Sequence, residues 1–156
     1  MTHLCAEVLR CLAGKTLATA ESCTGGGIGA ALTGISGSSA VYKGGVISYC
    51  NEIKHKLLGV EEEILARCGA VSAPVAEAMA SGARQALQTD VAVSVTGLAG
   101  PGGDDFGNPV GTVYIGYADA ERIVARHFLF AGDREQIRSC AARAALELLL
   151  EFNHKA

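Results

Sequence analysis

Apolar positions in this chain follow two periods, one helical and one of strands, and the two take turns along the sequence. Residues 2–13 read as a helix with Leu4, Val8, Leu9 and Leu12 on one stripe, ended by Gly14. Residues 15–21 read as a strand. A glycine run then opens a second helix over residues 25–33, whose Gly and Ala content permits close packing, and a Gly/Ser loop follows over 34–39. The next strand is expected over residues 44–50, after which Asn51 caps a helix through Leu58. Residues 61–68 add a helical turn or two, closed by Gly69. Ser72 caps a strong helix with Pro74 in its first turn and Val75, Met79 and Ala83 inside. Residues 90–95 read as a buried strand. Residues 111–118 and 122–130 read as a hairpin turning at 119–121. Gly132-Asp133 caps a last helix running to about Phe152, with Leu146, Leu149 and Leu150 on its buried face.

The resulting order, α-β-α-β-α-α-β-β-β-α, alternates and then closes with a hairpin. That combination predicts an α/β fold, a three-layer α/β/α sandwich with a mixed sheet and helices on both faces. No domain boundary or internal repeat shows, so residues 1–156 are expected to form a single domain.

Composition narrows the function classes. The chain is 49% apolar and 19% charged, enough to bury a real core. No window approaches a membrane span of ~20 apolar residues, and no basic-then-apolar leader opens the chain; a soluble cytoplasmic protein is expected. Net charge is −3 with scattered Lys and Arg, which argues against phosphate-neutralising nucleic-acid binding. Six cysteines form no C-x-x-C pair and have no His at ligand spacing. They are expected to be free, mostly buried thiols, with no metal. An Ala/Gly-rich helix face would suit a homo-oligomer, a dimer.

Three familiar patterns fail. Gly14-Lys15-Thr16 lacks the glycine a phosphate loop needs at position 9, which is Leu9, and its lysine precedes a strand. Gly25-x-Gly27-x-x-Ala30 fits only loosely a dinucleotide fingerprint, in a chain too short for two nucleotide-binding halves. Tyr49 and Lys54 are one residue further apart than the Tyr-x-x-x-Lys of short-chain dehydrogenases, which turns the lysine by ~100° around a helix.

The turn after the first strand, Glu21-Ser22-Cys23-Thr24-Gly25, carries side chains able to do chemistry. Ser22, Tyr49 at the end of the second strand and Lys54 in the following helix would all fall at the carboxyl edge of a wound sheet, where ligands bind. A serine with no well-placed His can use a desolvated lysine as its base, with a tyrosine relaying the proton or holding the hydroxyl. Backbone N–H groups near Cys23, Thr24 and Gly25 would receive an oxyanion. Asn51 would hold a substrate amide or cap its helix. Competing readings stand beside these. Ser22 or Thr24 serves equally as an N-cap, with Thr24 the better candidate. Tyr49 serves as an ordinary strand aromatic, Lys54 as a solvated charge and Cys23 as a rival nucleophile. Glu21 has no assigned role.

The stretch Thr19-Ala20-Glu21-Ser22-Cys23-Thr24-Gly25-Gly26 resembles the signature of the CinA C-terminal domain family, the nicotinamide-nucleotide amidases of PncC type. Further stretches resemble it in order: Gly37-Ser38-Ser39; Gly44-Gly45-Val46-Ile47-Ser48-Tyr49-Cys50-Asn51-Glu52 with Lys54; Leu58-Gly59-Val60; Gly69-Ala70-Val71-Ser72; Thr96-Gly97-Leu98-Ala99-Gly100-Pro101; Pro109-Val110-Gly111-Thr112-Val113; Gly132-Asp133-Arg134 with Ile137-Arg138. The resemblance implies hydrolysis of the carboxamide of nicotinamide mononucleotide to nicotinate mononucleotide and ammonia, in pyridine nucleotide recycling. It implies a Ser22 nucleophile, partners Tyr49 and Lys54, and no cofactor. Cys50 departs from the small hydroxyl residue often found after the tyrosine. The molybdopterin-binding-like domain that often precedes such domains is not in this sequence, which resembles the stand-alone form.

The implied phosphate needs donors. The loop over residues 96–109 carries five Gly, two Pro and two Asp, long for a passive connection. Its 97–101 end, with Thr96, Gly97, Ala99 and Gly100, is expected to face the ligand, since Asp104 and Asp105 would repel phosphate. Arg134 or Arg138 would add charge. Two other classes remain: a non-catalytic nucleotide-binding or assembly module of the same fold, and a small dehydrogenase that would transfer hydride and release no ammonia.

Overall fold

The structure, a computed structural model, describes residues 1–154. Its order is α1 (Thr2–Cys11), β1 (Leu17–Glu21), α2 (Gly27–Thr33), a 3₁₀ turn (Ser38–Ala40), β2 (Tyr42–Ile47), α3 (Asn51–Leu58), α4 (Glu62–Cys68), α5 (Ala73–Leu87), β3 (Val91–Gly97), β4 (Thr112–Ala118), β5 (Ile123–Leu129) and α6 (Arg134–Asn153). The five strands form one mixed sheet in the order β2-β1-β3-β4-β5. β1 pairs in parallel with β2 and β3, while β3, β4 and β5 run antiparallel. The expected three-layer α/β/α sandwich is therefore the fold, and the 119–121 hairpin is in place.

Strand alternation assigns the helices to faces. Leu17 of β1 and Val91, Val93 and Val95 of β3 pack with Leu4, Val8 and Leu12, with Ile28 and Leu32, and with Ile137, Leu146 and Leu149 of α6. Each such side chain, fully buried, contributes about 1.5–3 kcal/mol. Ala18, Ala20 and Ala92 point the other way, toward Leu58, Leu65, Val75, Met79 and Ala83. The residues under α5 are small because α5 lies close to the sheet. A Cβ at Gly116 would collide with the Ala76 carbonyl, which already accepts a hydrogen bond from Ser94 Oγ at 2.6 Å.

Connectivity sets the location of the site. The chain leaves β1 for β2 on one side and returns to β3 on the other. β1 is thus the point where strand order reverses, and a crevice opens beyond its carboxyl end. Ser22 is the first residue past that end.

Several local expectations need correction. β2 starts at Tyr42 and stops at Ile47, so Tyr49 lies in the connection beyond it. Asn51 is the first residue of α3; Cys50 occupies the cap position and no side chain caps the helix. Ser72 does precede α5, but its hydroxyl donates to the Gly69 carbonyl at 2.8 Å and does not cap. Asp133 caps α6 in a reciprocal box with Gln136. All six cysteines are free, yet only Cys5 and Cys23 are buried and Cys50 is exposed. Among the described residues no helix is long and apolar enough to cross a membrane.

Candidate active site

The turn after β1 is held by the sheet on both sides. The Ser22 N–H donates to the Val95 carbonyl at 3.0 Å, extending the β1–β3 ladder, and the Ser48 N–H donates to the Glu21 carbonyl at 2.8 Å, extending the β1–β2 ladder. The turn itself needs glycine: Gly25 and Gly26 have φ of 60° and 96°, the left-handed region that other residues rarely enter.

α2 begins among glycines and so has no cap of its own. Its N-terminal N–H groups are met instead by Glu21, whose buried carboxylate accepts from Ile28 N at 2.9 Å and Gly29 N at 3.1 Å. An anion at a helix N-terminus is favoured by the helix dipole. Glu21, unassigned from sequence, is thus the group that ties β1 to α2 across the turn. Thr24, expected as the cap, is not one; its buried Oγ1 has no hydrogen-bond partner.

Lys54 rises from the first turn of α3 into the space behind Ser22. Its Nζ donates to Ser22 Oγ at 3.0 Å and to the Ser48 carbonyl at 2.7 Å. The side chain is 2% exposed. None of the ion pairs among the described residues includes it. Burial therefore lowers its pKa from the ordinary 10.5, opposed only by the neighbouring Cys50 and Cys23 sulfurs. A lysine held next to a serine and biased toward the neutral amine can accept the hydroxyl proton. Cys23 is the opposite case: burial pushes its thiol up to about 11, against its own backbone hydrogen bond and the charges of Arg138 and Lys54. It stays a thiol at neutral pH, which weakens it as the rival nucleophile.

A cavity of ≈ 320 Å³ opens in front of this pair. Of the residues singled out from sequence, Ser22, Cys23, Tyr49, Asn51, Lys54, Thr96, Gly97, Ala99, Gly100 and Arg134 line it. Thr24 and Gly25 do not. The Gly25 N–H is taken by the Ser22 carbonyl at 3.0 Å, the Cys23 N–H faces its own sulfur, and the Thr24 N–H finds no acceptor among the described residues. Tyr49 is on the wall but away from the proton path that sequence suggested. Its hydroxyl, on a side chain 64% exposed, accepts from Arg134 Nη2 at 3.1 Å, and Lys54 meets Ser22 directly. Arg134 Nη1 also donates to the Gly100 carbonyl at 2.6 Å, so this arginine joins the β3–β4 loop to the connection after β2. The Thr96 hydroxyl is committed to the Ala70 carbonyl at 2.8 Å. Arg138 does not line the cavity; it grips the carbonyls of Cys23 and Thr24. Asp104 faces its own loop, accepting from Phe106 N, Asn108 N and Asn108 Nδ2. From that loop Gly97, Leu98, Ala99, Gly100 and Gly102 line the cavity and Pro101 does not.

The sequence model of the CinA C-terminal domain matches residues 2–153. The chain belongs to the CinA family. A CinA-like protein of Synechocystis is 52% identical over 139 residues, which cover 87% of this chain and 33% of that protein. One from Geobacter sulfurreducens is 50% identical over 136 residues, again 87% of this chain and 33% of the relative. The chain thus spans about a third of the length of these CinA relatives. Solved structures agree over nearly the full chain. The competence damage-inducible protein A (ComA) of Klebsiella pneumoniae superposes with a TM-score of 0.94 at 39% identity, covering 96% of this chain and 94% of its own. The competence/damage inducible protein CihA of Agrobacterium tumefaciens gives 0.94 at 39% identity, covering 98% and 95%.

Proposed function

We propose that this CinA-family chain is an amidohydrolase that cleaves the carboxamide of nicotinamide mononucleotide, releasing ammonia and nicotinate mononucleotide. The observation that carries the reading is the contact of the buried Lys54 Nζ with Ser22 Oγ at 3.0 Å, in a cavity wall and without a carboxylate partner for the lysine.

The chemistry is a two-step acyl transfer. Neutral Lys54 takes the Ser22 hydroxyl proton as Oγ attacks the carboxamide carbon. The oxyanion is received by the Thr24 N–H, with the Cys23 N–H beside it. Collapse of the tetrahedral centre breaks the C–N bond, and the proton held by Lys54 passes to the departing nitrogen, giving ammonia. Water then attacks the nicotinoyl ester with Lys54 again as base, and Ser22 is regenerated. Arg134 and the backbone of residues 97–100 take the phosphate, a planar guanidinium being suited to a phosphate's paired oxygens. Tyr49 steadies Arg134 and offers a ring face to the substrate at the cavity mouth.

The test is ammonia release from nicotinamide mononucleotide by wild type and Ser22→Ala, with hydroxylamine added to trap the acyl ester. Ser22→Ala is expected to fall by about 10³-fold or more with an unchanged melting temperature. Wild-type turnover in that variant would reject Ser22. Nucleotide binding without release by the wild type would favour the non-catalytic module.

A further inference from the structure

Arg138 takes no part in the chemistry proposed above, yet it is tied to the turn that carries it. It lies one helical turn beyond Arg134 on the same face of α6. Its Nε donates to the Cys23 carbonyl at 2.9 Å and its Nη2 to the Thr24 carbonyl at 3.3 Å. Ile137 beside it is 1% exposed, so the helix segment that presents the guanidinium is anchored in the core. The turn lies against the guanidinium: a Cβ on Gly25 would stand 3.4 Å from Arg138 Nη2.

A trans peptide points its carbonyl and its N–H in opposite directions. Holding the Cys23 carbonyl toward α6 therefore turns the Thr24 N–H away from α6. Holding the Thr24 carbonyl does the same to the Gly25 N–H, which closes the turn on the Ser22 carbonyl at 3.0 Å. The Thr24 carbonyl is also held by the Gly27 N–H at 2.9 Å, so the Cys23 carbonyl contact is the one that sets a peptide plane, the one carrying the Thr24 N–H. A neutral donor in the same place would hold it less firmly, because hydrogen bonds from a charged group are roughly twice as strong.

We infer that Arg138 is a positioning residue for acyl transfer at Ser22: by gripping the Cys23 carbonyl it aims the Thr24 N–H that receives the oxyanion, and by gripping the Thr24 carbonyl it braces the turn behind it. The inference rests on the reading of Ser22 as the attacking group, but not on the identity of the amide. Arg134 and Arg138, four residues apart, then divide the work of one helix, the first at the substrate and the second at the turn.

The experiment compares wild type, Arg138→Met and Arg138→Lys by two readouts, with melting temperatures measured alongside. One is ammonia release from nicotinamide mononucleotide. The other is the rate at which a fluorophosphonate captures Ser22, read by intact mass, since its phosphoryl oxygen occupies the oxyanion position. Arg138→Met is expected to lower kcat about 10–100-fold, less than the about 10²–10³-fold of removing an oxyanion donor outright because the N–H remains, with KM within about 3-fold. It should slow capture about 10-fold, in line with that loss, and recover part of both rates when methylguanidine is added. Arg138→Lys should fall between. A purely structural role would move the melting temperature without the kcat–KM split or the rescue. Capture at the wild-type rate in Arg138→Met overturns the inference, as does a loss confined to KM. If no protein releases ammonia, the substrate reading fails while the capture rates still decide the role of Arg138. Failure to capture wild-type Ser22 overturns both.

Discussion

The sheet has a cavity at each end, and the two are nearly equal in size. The one at the carboxyl ends of β1 and β3 measures ≈ 320 Å³, and the one near the amino ends, lined by Lys15, Arg84, Asp90, Asp119 and Arg122 among others, ≈ 330 Å³. Volume does not separate them; the state of their polar groups does. At the amino end the polar groups satisfy one another. Asp90 accepts from the Thr16 N–H and hydroxyl. Asp119 accepts from the Glu121 and Arg122 N–H groups, from Arg122 Nε and from the Tyr117 hydroxyl. Arg122 also donates to the Phe152 carbonyl. At the carboxyl end Lys54 has no carboxylate, the Thr24 N–H has no acceptor among the described residues, and Arg134 rests on a carbonyl and a phenol. Polar groups left with free capacity cost stability unless a substrate uses them. The comparison therefore sets an end with free polar capacity, as the proposed reaction needs, against an end whose polar groups serve as scaffold.

The sharpest way to break this contrast is at Lys54. Lys54→Met keeps the length of the side chain and removes the amine, and should cost about 10³-fold or more in ammonia release, the scale of losing a base that acts with its nucleophile as a unit. The wild-type rate should rise with pH along a limb centred below 10.5, because burial favours the neutral amine. That limb should be missing from the residual activity of the variant. Stability should move the same way. Between the lowered folded pKa and the ordinary unfolded one the unfolded chain holds the extra proton, so this lysine makes stability rise with pH in that window. Lys54→Met should lose that rise in urea melts. A drop of only a few-fold in rate would return Lys54 to the scaffold.

What sequence reveals of this site follows from what is local in it. The β1 strand, the glycine turn and Ser22 are contiguous, and each leaves a mark in residue type and period. Lys54 and Tyr49 were named from sequence as base and as relay or holder of the hydroxyl, but not which of them touches Ser22, because sequence gives no distance between Ser22 and a residue thirty-two positions on. The structure puts the lysine on the serine and the tyrosine on Arg134. Glu21 escaped for a different reason. Capping rules look one residue before a helix, whereas this carboxylate acts from the preceding strand, across the turn, on Ile28 and Gly29. A helix opening on glycines, with no cap of its own, is the only hint. Arg138 was visible as a charge, but its grip on carbonyls 115 and 114 positions away has no periodicity to announce it.

A smaller effect is expected at Arg134. Removing it in Arg134→Ala takes away the proposed phosphate contact and frees Tyr49 and the Gly100 carbonyl, without touching Ser22 or Lys54. KM for nicotinamide mononucleotide should rise about 10–100-fold, the equivalent of about 1.4–2.7 kcal/mol of binding, while kcat stays within about 3-fold. Nicotinamide riboside, the same amide without its phosphate, should be turned over equally by variant and wild type. Equal losses on both substrates would show that Arg134 holds the loop and not the phosphate.

The smallest effect on activity, none, belongs to the opposite end, and it completes the contrast. Asp119 is mostly buried, and although burial pushes its pKa up, hydrogen bonds from the Glu121 N–H, Tyr117, the Arg122 N–H and Arg122 hold it below the ordinary carboxylate value. A carboxylate lowered in this way stabilises the fold above its unfolded pKa, and that stabilisation fades as pH falls through the folded pKa. Asp119→Asn cannot accept all four bonds as an anion and should lose about 1–3 kcal/mol at pH 7, seen as a lower denaturation midpoint. The difference from wild type should shrink in acid, where the native aspartate is itself protonated. Throughout, kcat and KM for the amide should stay at wild-type values, because no group at this end of the sheet reaches Ser22. A parallel fall in kcat would mean that the two ends are coupled through β3, the strand whose first residue lies at the Asp90 end and whose last lies at the cavity, and the division between scaffold and site would then fail.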